Sequence, residues 1–490
     1  MSQNIARIAL SYATTPQAIV LSDEDREIRR GELFGLVKSR IEQFANAGVG
    51  HGEFVVVNCN RGLAFWIDLL SLWGLGARPV CLESDIDPAH AKNVAELSEP
   101  RRIAAGEGDK IPDVFADLER LPEIDWTAPE ATINDIGLNE ALDPHEVAGL
   151  IFTSGTTGLP KGVPLTHWAL SQNALGTATR LSLRPGDRLM IATPFRFISS
   201  ISHFLVTLMS GAEFFGTERK LMAADLVGLL RDRNMTAFGG SPFHARMISM
   251  ADAQQLPRLK WLMSSGDHLP KEVIDELQKN YPSIAIHTVY GMAELGGRFC
   301  TLAPEFLPEK AGSVGLPIPG LNLEVRDEDG KTCKTGEIGS IFAGGSFSFS
   351  GYYKNEEANR SVFGENGFRT GDMGYWDKDG FLYLAGRSDS VFKRSGLKVS
   401  ALTITDAILS LGLFEDVIVL SKEDPIEGAA PVAYVSGGHE SVTKGQLLRE
   451  LRPLLPVNHL PKELIRVPEI PRTGSGKVDR RKLKDMLKAR

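Results

Sequence analysis

Residues 150–167 read LIFTSGTTGLPKGVPLTH. An apolar run with the pattern of a buried strand breaks at Thr153 into Ser154, Gly155, Thr156, Thr157 and Gly158, and a single cation follows at Lys161. Glycine adopts backbone conformations that let successive N–H groups turn inward, and such a nest, flanked by neutral hydroxyls and one lysine, suits a polyphosphate. The commonest phosphate loop places its lysine after a glycine and before a Ser or Thr that ligates magnesium. Here Lys161 stands between Pro160 and Gly162, so the stretch reads as a phosphate loop of another kind.

Outward from this loop, strand and helix patterns alternate. RGELFGLVKSRIEQFANAGV has helical spacing and stops at glycine; EFVVVNCN, AFWIDLLSLWGLGA and RPVCL then read as strand, helix and strand. The alternation recurs through DRLMIATPF, ADLVGLLRDRN, MTAFGGSP, LKWLMSSGD, KEVIDELQKNY and IAIHTVYGM. It predicts parallel sheet covered by helices. Past Gly312 the pattern changes to strands joined at Asp-Gly turns, which predicts an antiparallel, barrel-like subdomain. After Arg387 it changes again, to a small α+β unit that ends in the basic helix KVDRRKLKDMLKAR. The expected fold is α/β: a large N-terminal domain over 1–388, and a small mobile C-terminal domain over 389–490.

At 490 residues the chain exceeds one ordinary core, as that division requires. A net charge of -8 argues against a general nucleic-acid binder. The four cysteines, Cys59, Cys81, Cys300 and Cys333, are scattered without a CxxC, so neither a disulfide framework nor a zinc site is expected. The first residues lack the basic region and cleavage site of a signal peptide. The most apolar window, FWIDLLSLWGLGARPVCL, carries Asp68 and Arg78 and is too short to span a bilayer. A cytoplasmic protein with no membrane partner is expected.

IFTSGTTGLPKGV closely resembles the phosphate loop of the adenylate-forming superfamily, which includes acyl-CoA synthetases, luciferases and peptide-synthetase adenylation domains. Further segments resemble that family's motifs in order: SSGDHLP (264–270), VYGMAE (289–294), FRTGDMGYWDKDGFLYLAGRSDSVFKRSGLKVS (368–400) and PRTGSGKVDRRKL (471–483). The resemblance implies that Thr153 and the loop Ser154 to Gly158 hold phosphates, with Lys161 as a positioning charge. It implies that Tyr290 and Gly291 meet the adenine beside Gly266 and Asp267, that Asp372 takes the ribose hydroxyls, and that Arg387 lies near ribose or phosphate. Lys398, where arginine is commoner in the family, joins the nucleotide set. Glu294 is implied as a ligand of Mg2+, an oxygen donor for a hard cation. Lys477 is implied as the lysine that reaches both the acid's carboxylate and the α-phosphate.

These roles imply a reaction. A carboxylate is a poor acyl donor, and attack on the α-phosphate of ATP converts it to an acyl-adenylate with release of pyrophosphate. Lysine and magnesium offset the repulsion between the two anions. AMP then leaves when a thiol attacks. The implied cofactors are ATP, Mg2+ and CoA, or the phosphopantetheine of a carrier protein. The implied hinge is Asp389, about which the small domain turns between half-reactions, and Gly396 is implied to leave room for the thiol's arm. Other acceptors, a carrier-protein thiol or an amine, stay open, as does a nucleotide-binding protein that has lost catalysis.

Several positions depart from the family pattern. Ala293 replaces a threonine, and SALTI (400–404) lacks the usual Glu-Ile-Glu. In PFRFISSISHF (194–204), Phe197 stands where the family has histidine, with Arg196 before it. The segment has no aspartate to pair an α-amino group, which disfavours ordinary α-amino acids. The pocket for a small-molecule carboxylic acid is expected to include Arg196, Phe197, His203, Phe243, His244 and Arg298. An arginine there suggests a second anionic or polar group on the acid, or else an ion pair on the rim. Identity of the acid and the oligomeric state stay open.

Overall fold

The computed structural model describes residues 4–12, 14–153, 159–181, 183–219, 221–345, 347, 349–364, 367–438, 442–472 and 478–488. Two large sheets organise the first 387 residues. In one of six strands, Glu119–Arg120, Arg102–Ala104, Phe54–Asn58, Arg78–Leu82 and Val147–Thr153 run parallel, and Lys161–Thr166 closes the edge, antiparallel to Val147–Thr153. The other, of fourteen strands, has a parallel core of Ile19–Ser22, Glu213–Gly216, Arg188–Ile191, Ala237–Gly240, Trp261–Ser264 and Ala285–Met292. Its path continues through Gly297–Leu302, Ser313–Pro317, Leu382–Arg387, Gly367–Trp376, Gly339–Gly345 and Leu321–Arg326, all antiparallel. The antiparallel region expected past Gly312 therefore extends the parallel sheet edge to edge.

Its two Asp-Gly turns have local causes. The Asp327 carboxylate accepts from the N–H groups of Asp329 and Lys331, Asp377 does the same for Asp379 and Phe381, and Gly330 and Gly380 hold φ of 80° and 81°. A side chain that mimics a backbone turn, followed by a residue free to adopt positive φ, reverses the strand.

The apolar window FWIDLLSLWGLG lies in the helix Leu63–Leu75, buried at every residue from Leu63 to Gly74. Such a helix is hydrophobic all round because protein surrounds it. Among the described residues, no helix is long and apolar enough to cross a membrane. Asp68 sits in it at 0% exposure because Arg40 Nε and Arg61 Nη1 each lie 2.6 Å from its oxygens. Trp66 packs against Phe195, Phe204 and Phe214 at 4.8, 4.5 and 4.9 Å between ring centroids. This cluster anchors the start of the helix Ile198–Met209 against the large sheet.

Beyond Ser390 come the hairpin Val391–Arg394/Leu397–Ser400 and a three-stranded sheet of Asp416–Asp424, Gly428–Ser436 and Glu463–Arg466. Its apolar side chains form cores of their own. Val399, Ile404, Ile408, Val419 and Leu447 pack on one side, and Leu420, Tyr434, Ile465 and Leu483 on the other.

Candidate active site

The antiparallel register sets Thr153 opposite Lys161 where the expected phosphate loop joins the two strands. Ser154, Gly155, Thr156, Thr157 and Gly158, which join the two strands, lie outside the described residues, as does Lys477. The Lys161 ammonium sits 4.7 Å from the centroid of the Tyr352 ring. The Tyr352 hydroxyl donates to Glu294 Oε1 at 2.8 Å. One phenol thus joins a cation and a carboxylate from distant parts of the chain. Its position is set by backbone bonds. Tyr353 N donates to the Gly162 carbonyl at 2.8 Å, and Asn359 accepts from Tyr352 N and donates to its carbonyl at 2.6 and 3.1 Å. Burial, then the Glu294 carboxylate, pushes the Tyr352 phenol well above its ordinary range, so it stays a donor.

Glu294 stands in the single turn Ala293–Leu295 between strands Ala285–Met292 and Gly297–Leu302. At Gly291 a Cβ would come within 2.4 Å of the Gly297 carbonyl oxygen, so only glycine fits that approach. Ala293, where the family has threonine, is buried in the same turn.

A second group forms beside it. Asp372 and Arg387 are paired across neighbouring antiparallel strands, with Arg387 Nη1 donating to Asp372 Oδ1 at 3.1 Å. The buried Tyr290 hydroxyl donates to the other oxygen of Asp372. Tyr290 packs its ring 4.1 Å from that of Phe299. Burial opposes the charge on Arg387, but the Asp372 carboxylate outweighs it and raises the guanidinium's pKa. Arg387 also lies near enough to Tyr352 to oppose the rise of its phenol. Gly266, at φ 92°, turns the chain before Asp267, whose Oδ1 accepts from His268 N at 2.9 Å.

Other expected residues are engaged elsewhere. Lys398 donates to the Ile338 carbonyl at 2.9 Å, with Glu328 at 4.0 Å. Gly396 and Ser395 have φ of 82° and 50° in the two-residue turn between Arg394 and Leu397, and nothing lies within 4 Å of a Cβ built on Gly396. The turn by itself accounts for that glycine. Asp389 pairs with Lys484 at 2.6 Å and accepts from Ser390 Oγ at 3.2 Å, while Arg480 donates to that same Ser390 hydroxyl at 3.0 Å. Ser400, in the unusual SALTI segment, caps the helix Ala401–Ser410 by accepting from Thr403 N at 3.1 Å.

The six residues expected at the acid sort by environment. Phe197 caps the helix Ile198–Met209, and its ring lies 4.3 Å beneath the Arg196 guanidinium, which Glu83 pairs. His244 caps its own helix through Ser241, and burial holds it neutral, with a pKa pushed down to about 4. Phe243 is exposed against it, 5.7 Å between rings. His203 and Arg298 are buried, between the helix Ile198–Met209 and the large sheet. Sequence reasoning missed Tyr352 altogether. The stretch SGYYKN offered only an aromatic pair before the helix-capping Asn355, with nothing to mark one ring as the partner of Lys161 and Glu294.

Family models match the chain in two parts, an AMP-binding enzyme domain over residues 9–353 and an AMP-binding enzyme C-terminal domain over 404–477. A 2-succinylbenzoate–CoA ligase of Bacillus subtilis strain 168 is 26% identical over 97% of this chain and 96% of its own. Among solved structures, ATP-bound MatB from Rhodopseudomonas palustris is similar at a TM-score of 0.87 and 21% identity, covering 100% of this chain and 99% of that one. The O-succinylbenzoate coenzyme A synthetase of Bacillus subtilis in complex with AMP is similar at 0.82 and 24%, covering 99% and 98%. At these identities the two structures speak to the fold alone.

Proposed function

The chain belongs to the AMP-binding enzyme family, and from that premise we propose how its residues divide the work of an ATP-dependent ligase that activates a carboxylic acid as acyl-AMP and transfers it to CoA. The observation that carries this division is the meeting of Lys161 and Glu294 at Tyr352, with Tyr290, Asp372 and Arg387 alongside. Asp372, its carboxylate held by Tyr290 and Arg387, accepts from the ribose hydroxyls. Tyr290 and Gly291 line the adenine side with Gly266 and Asp267. Lys161 and the loop Thr153 to Gly158 hold the β- and γ-phosphates.

Mg2+ fits this chemistry. Among the described residues no three His, Cys, Asp or Glu converge on one point. A hard cation that binds through one carboxylate and the substrate's phosphate oxygens needs no such cluster, and Glu294 is the carboxylate present. Bound there, it supplies charge against the phosphates. Lys477 meets the acid's carboxylate and the α-phosphate, neutralising both anions as they approach.

The chain divides into an adenylating part, 1–388, and a part carrying Lys477, 389–490. Asp389, tethered to Lys484 and Ser390, is the pivot about which the second turns once pyrophosphate has left. Cytoplasmic residence, where ATP and CoA are supplied, belongs to the same reading. 2-Succinylbenzoate, for which the curated relative is named, is the first acid to try.

The test is acid-dependent exchange of labelled pyrophosphate into ATP over an acid panel, followed by mass spectrometry of the product formed with CoA. Exchange that is lost by at least 100-fold in Lys477→Ala supports the assignment, a scale set by removal of a charge made for the transition state. No exchange with any acid indicates a nucleotide-binding protein instead. Release of AMP sped by a carrier protein or an amine, and not by CoA, reassigns the acceptor.

A further inference from the structure

The two arginines near the expected acid pocket differ in one decisive respect. Arg196 is partly exposed and has a carboxylate partner, Glu83. Arg298 is 3% exposed and, among the described residues, pairs with no Asp or Glu. Its Nη1 donates to Ser202 Oγ at 3.1 Å, and its Nη2 has no partner among the described residues. A buried charge without a counter-ion is destabilising, so proteins seldom keep one that does no work. Burial alone presses the Arg298 pKa down to about 9, which still leaves it charged near neutrality.

Its neighbours do not neutralise it. His203 and His287 are each 1% exposed. Burial first, then the Arg298 charge, drives His287 down to about 4 and His203 well below its ordinary value, so both stay neutral. His203 Nδ1 lies 2.6 Å from the Ser199 carbonyl, which can only accept, and this fixes the proton on Nδ1. Among the described residues, His203 Nε2 and both ring nitrogens of His287 are left without partners. In the sheet, His287 stands in register with Met263 and Gly239, and a Cβ at Gly239 would meet His203 Nε2 at 2.3 Å, so that row faces the helix Ile198–Met209. Arg298 thus lies buried between sheet and helix beside two neutral histidines, with Leu295, Gly296 and Gly297 between it and Glu294 in the chain.

We propose that Arg298 selects the acid by binding the second, non-reacting carboxylate of a dicarboxylic substrate, with Ser202 and His203 at its side. The inference rests on the ligase reading above and names the substrate class within it. A guanidinium offers two parallel N–H donors to the two oxygens of a carboxylate. One buried positive charge balances one negative charge, which favours carboxylate over the more highly charged phosphate. His203, kept neutral first by burial, presents a lone pair at Nε2, so the donors to a carboxylate are the Arg298 guanidinium and the Ser202 hydroxyl.

The experiment compares thioester formation with CoA from succinic, glutaric, phthalic and 2-succinylbenzoic acids, each against its monomethyl ester, in the wild type, Arg298→Met and Arg298→Lys. The wild type is expected to prefer at least one free diacid over its ester by a factor on the order of 100 in kcat/KM, carried mainly by KM. Arg298→Met brings that ratio close to one, and Arg298→Lys, which keeps the charge without the fork, retains part of it. Thermal unfolding of the ligand-free Arg298→Met protein is expected at an unchanged or higher temperature, because an uncompensated buried charge has been removed. Equal losses on diacid and ester, together with a lowered unfolding temperature, would mean a structural arginine and overturn the proposal. Turnover of esters and monoacids with no diacid preference overturns it while leaving the ligase reading intact. No turnover or pyrophosphate exchange with any acid overturns both.

Discussion

His268 Nε2 lies 3.1 Å from Asp406 Oδ2, which ties the loop after the strand Trp261–Ser264 to the helix Ala401–Ser410. The pair joins the part of the chain that holds the proposed nucleotide residues to the part that carries Lys477. Any turning of the second about Asp389 must break or remake this contact.

That contact is pH-dependent. Burial opposes charge on His268, but Asp406, followed by Asp267 and Glu272, outweighs it and raises the pKa above 6.5. A group raised on folding stabilises fully below its unfolded value, and the contribution disappears as pH rises through the folded value. Stability is therefore expected to fall by roughly 1 kcal/mol or less over the window above pH 6.5, the scale of a partly exposed pair. Unfolding monitored from pH 6 to 9 checks this. His268→Asn should remove the slope, and an identical slope in that variant would show that the contact is not its source.

Tyr352→Phe keeps a ring beneath Lys161 and removes the bond to Glu294. Hydrogen bonds to charged groups contribute about 1.5–3 kcal/mol, so pyrophosphate exchange should slow by roughly 10- to 100-fold. Tyr352→Ala, which also removes the ring, should cost more. Kinetics at several ATP and magnesium concentrations give the answer, and wild-type exchange in the phenylalanine variant would exclude Tyr352 from the site.

Asp68→Ala leaves Arg40 and Arg61 without the carboxylate that each meets at 2.6 Å. Breaking a buried ion pair from one side costs about 3–5 kcal/mol. Urea unfolding should show a loss of that size, with the slope unchanged. A loss below about 1 kcal/mol would mean that the arginines find other partners.

At Gly396, the turn and the thiol's path make different demands. Asparagine tolerates positive φ, whereas valine does not. Gly396→Asn should keep the hairpin, spare pyrophosphate exchange and slow thioester formation if the thiol's arm passes there. Gly396→Val should destabilise the C-terminal part as well. Should Gly396→Asn form thioester at the wild-type rate, the glycine serves the turn alone.

Legibility in the sequence followed the range of the physics. The parallel core, the Asp-Gly turns and the change of pattern past Gly312 rest on periodicity and turn chemistry within a few residues, and all could be read before folding. The proposed nucleotide residues could be named from the sequence because each sits in a short motif whose glycines and charges are contiguous. Tyr352 carried no such mark, since its importance comes from two residues that the hairpin at Gly162 and the turn at Glu294 bring to it. Gly396 was equally readable as a turn or as a passage, and its backbone conformation meets the first demand by itself.

Sequence by itself determined that this chain folds as an α/β protein with a small C-terminal unit, because that property is written in local spacing, and its ordered motifs were enough to point to the AMP-binding family. Only the tertiary structure decided which arginine lacks a counter-ion among the described residues. Arg196 and Arg298 look alike as letters in a chain. Folding brings Glu83 to the first, and sets the second among neutral histidines between sheet and helix. The difference is electrostatic and long-range in sequence, so it exists only once the strands and helices have packed.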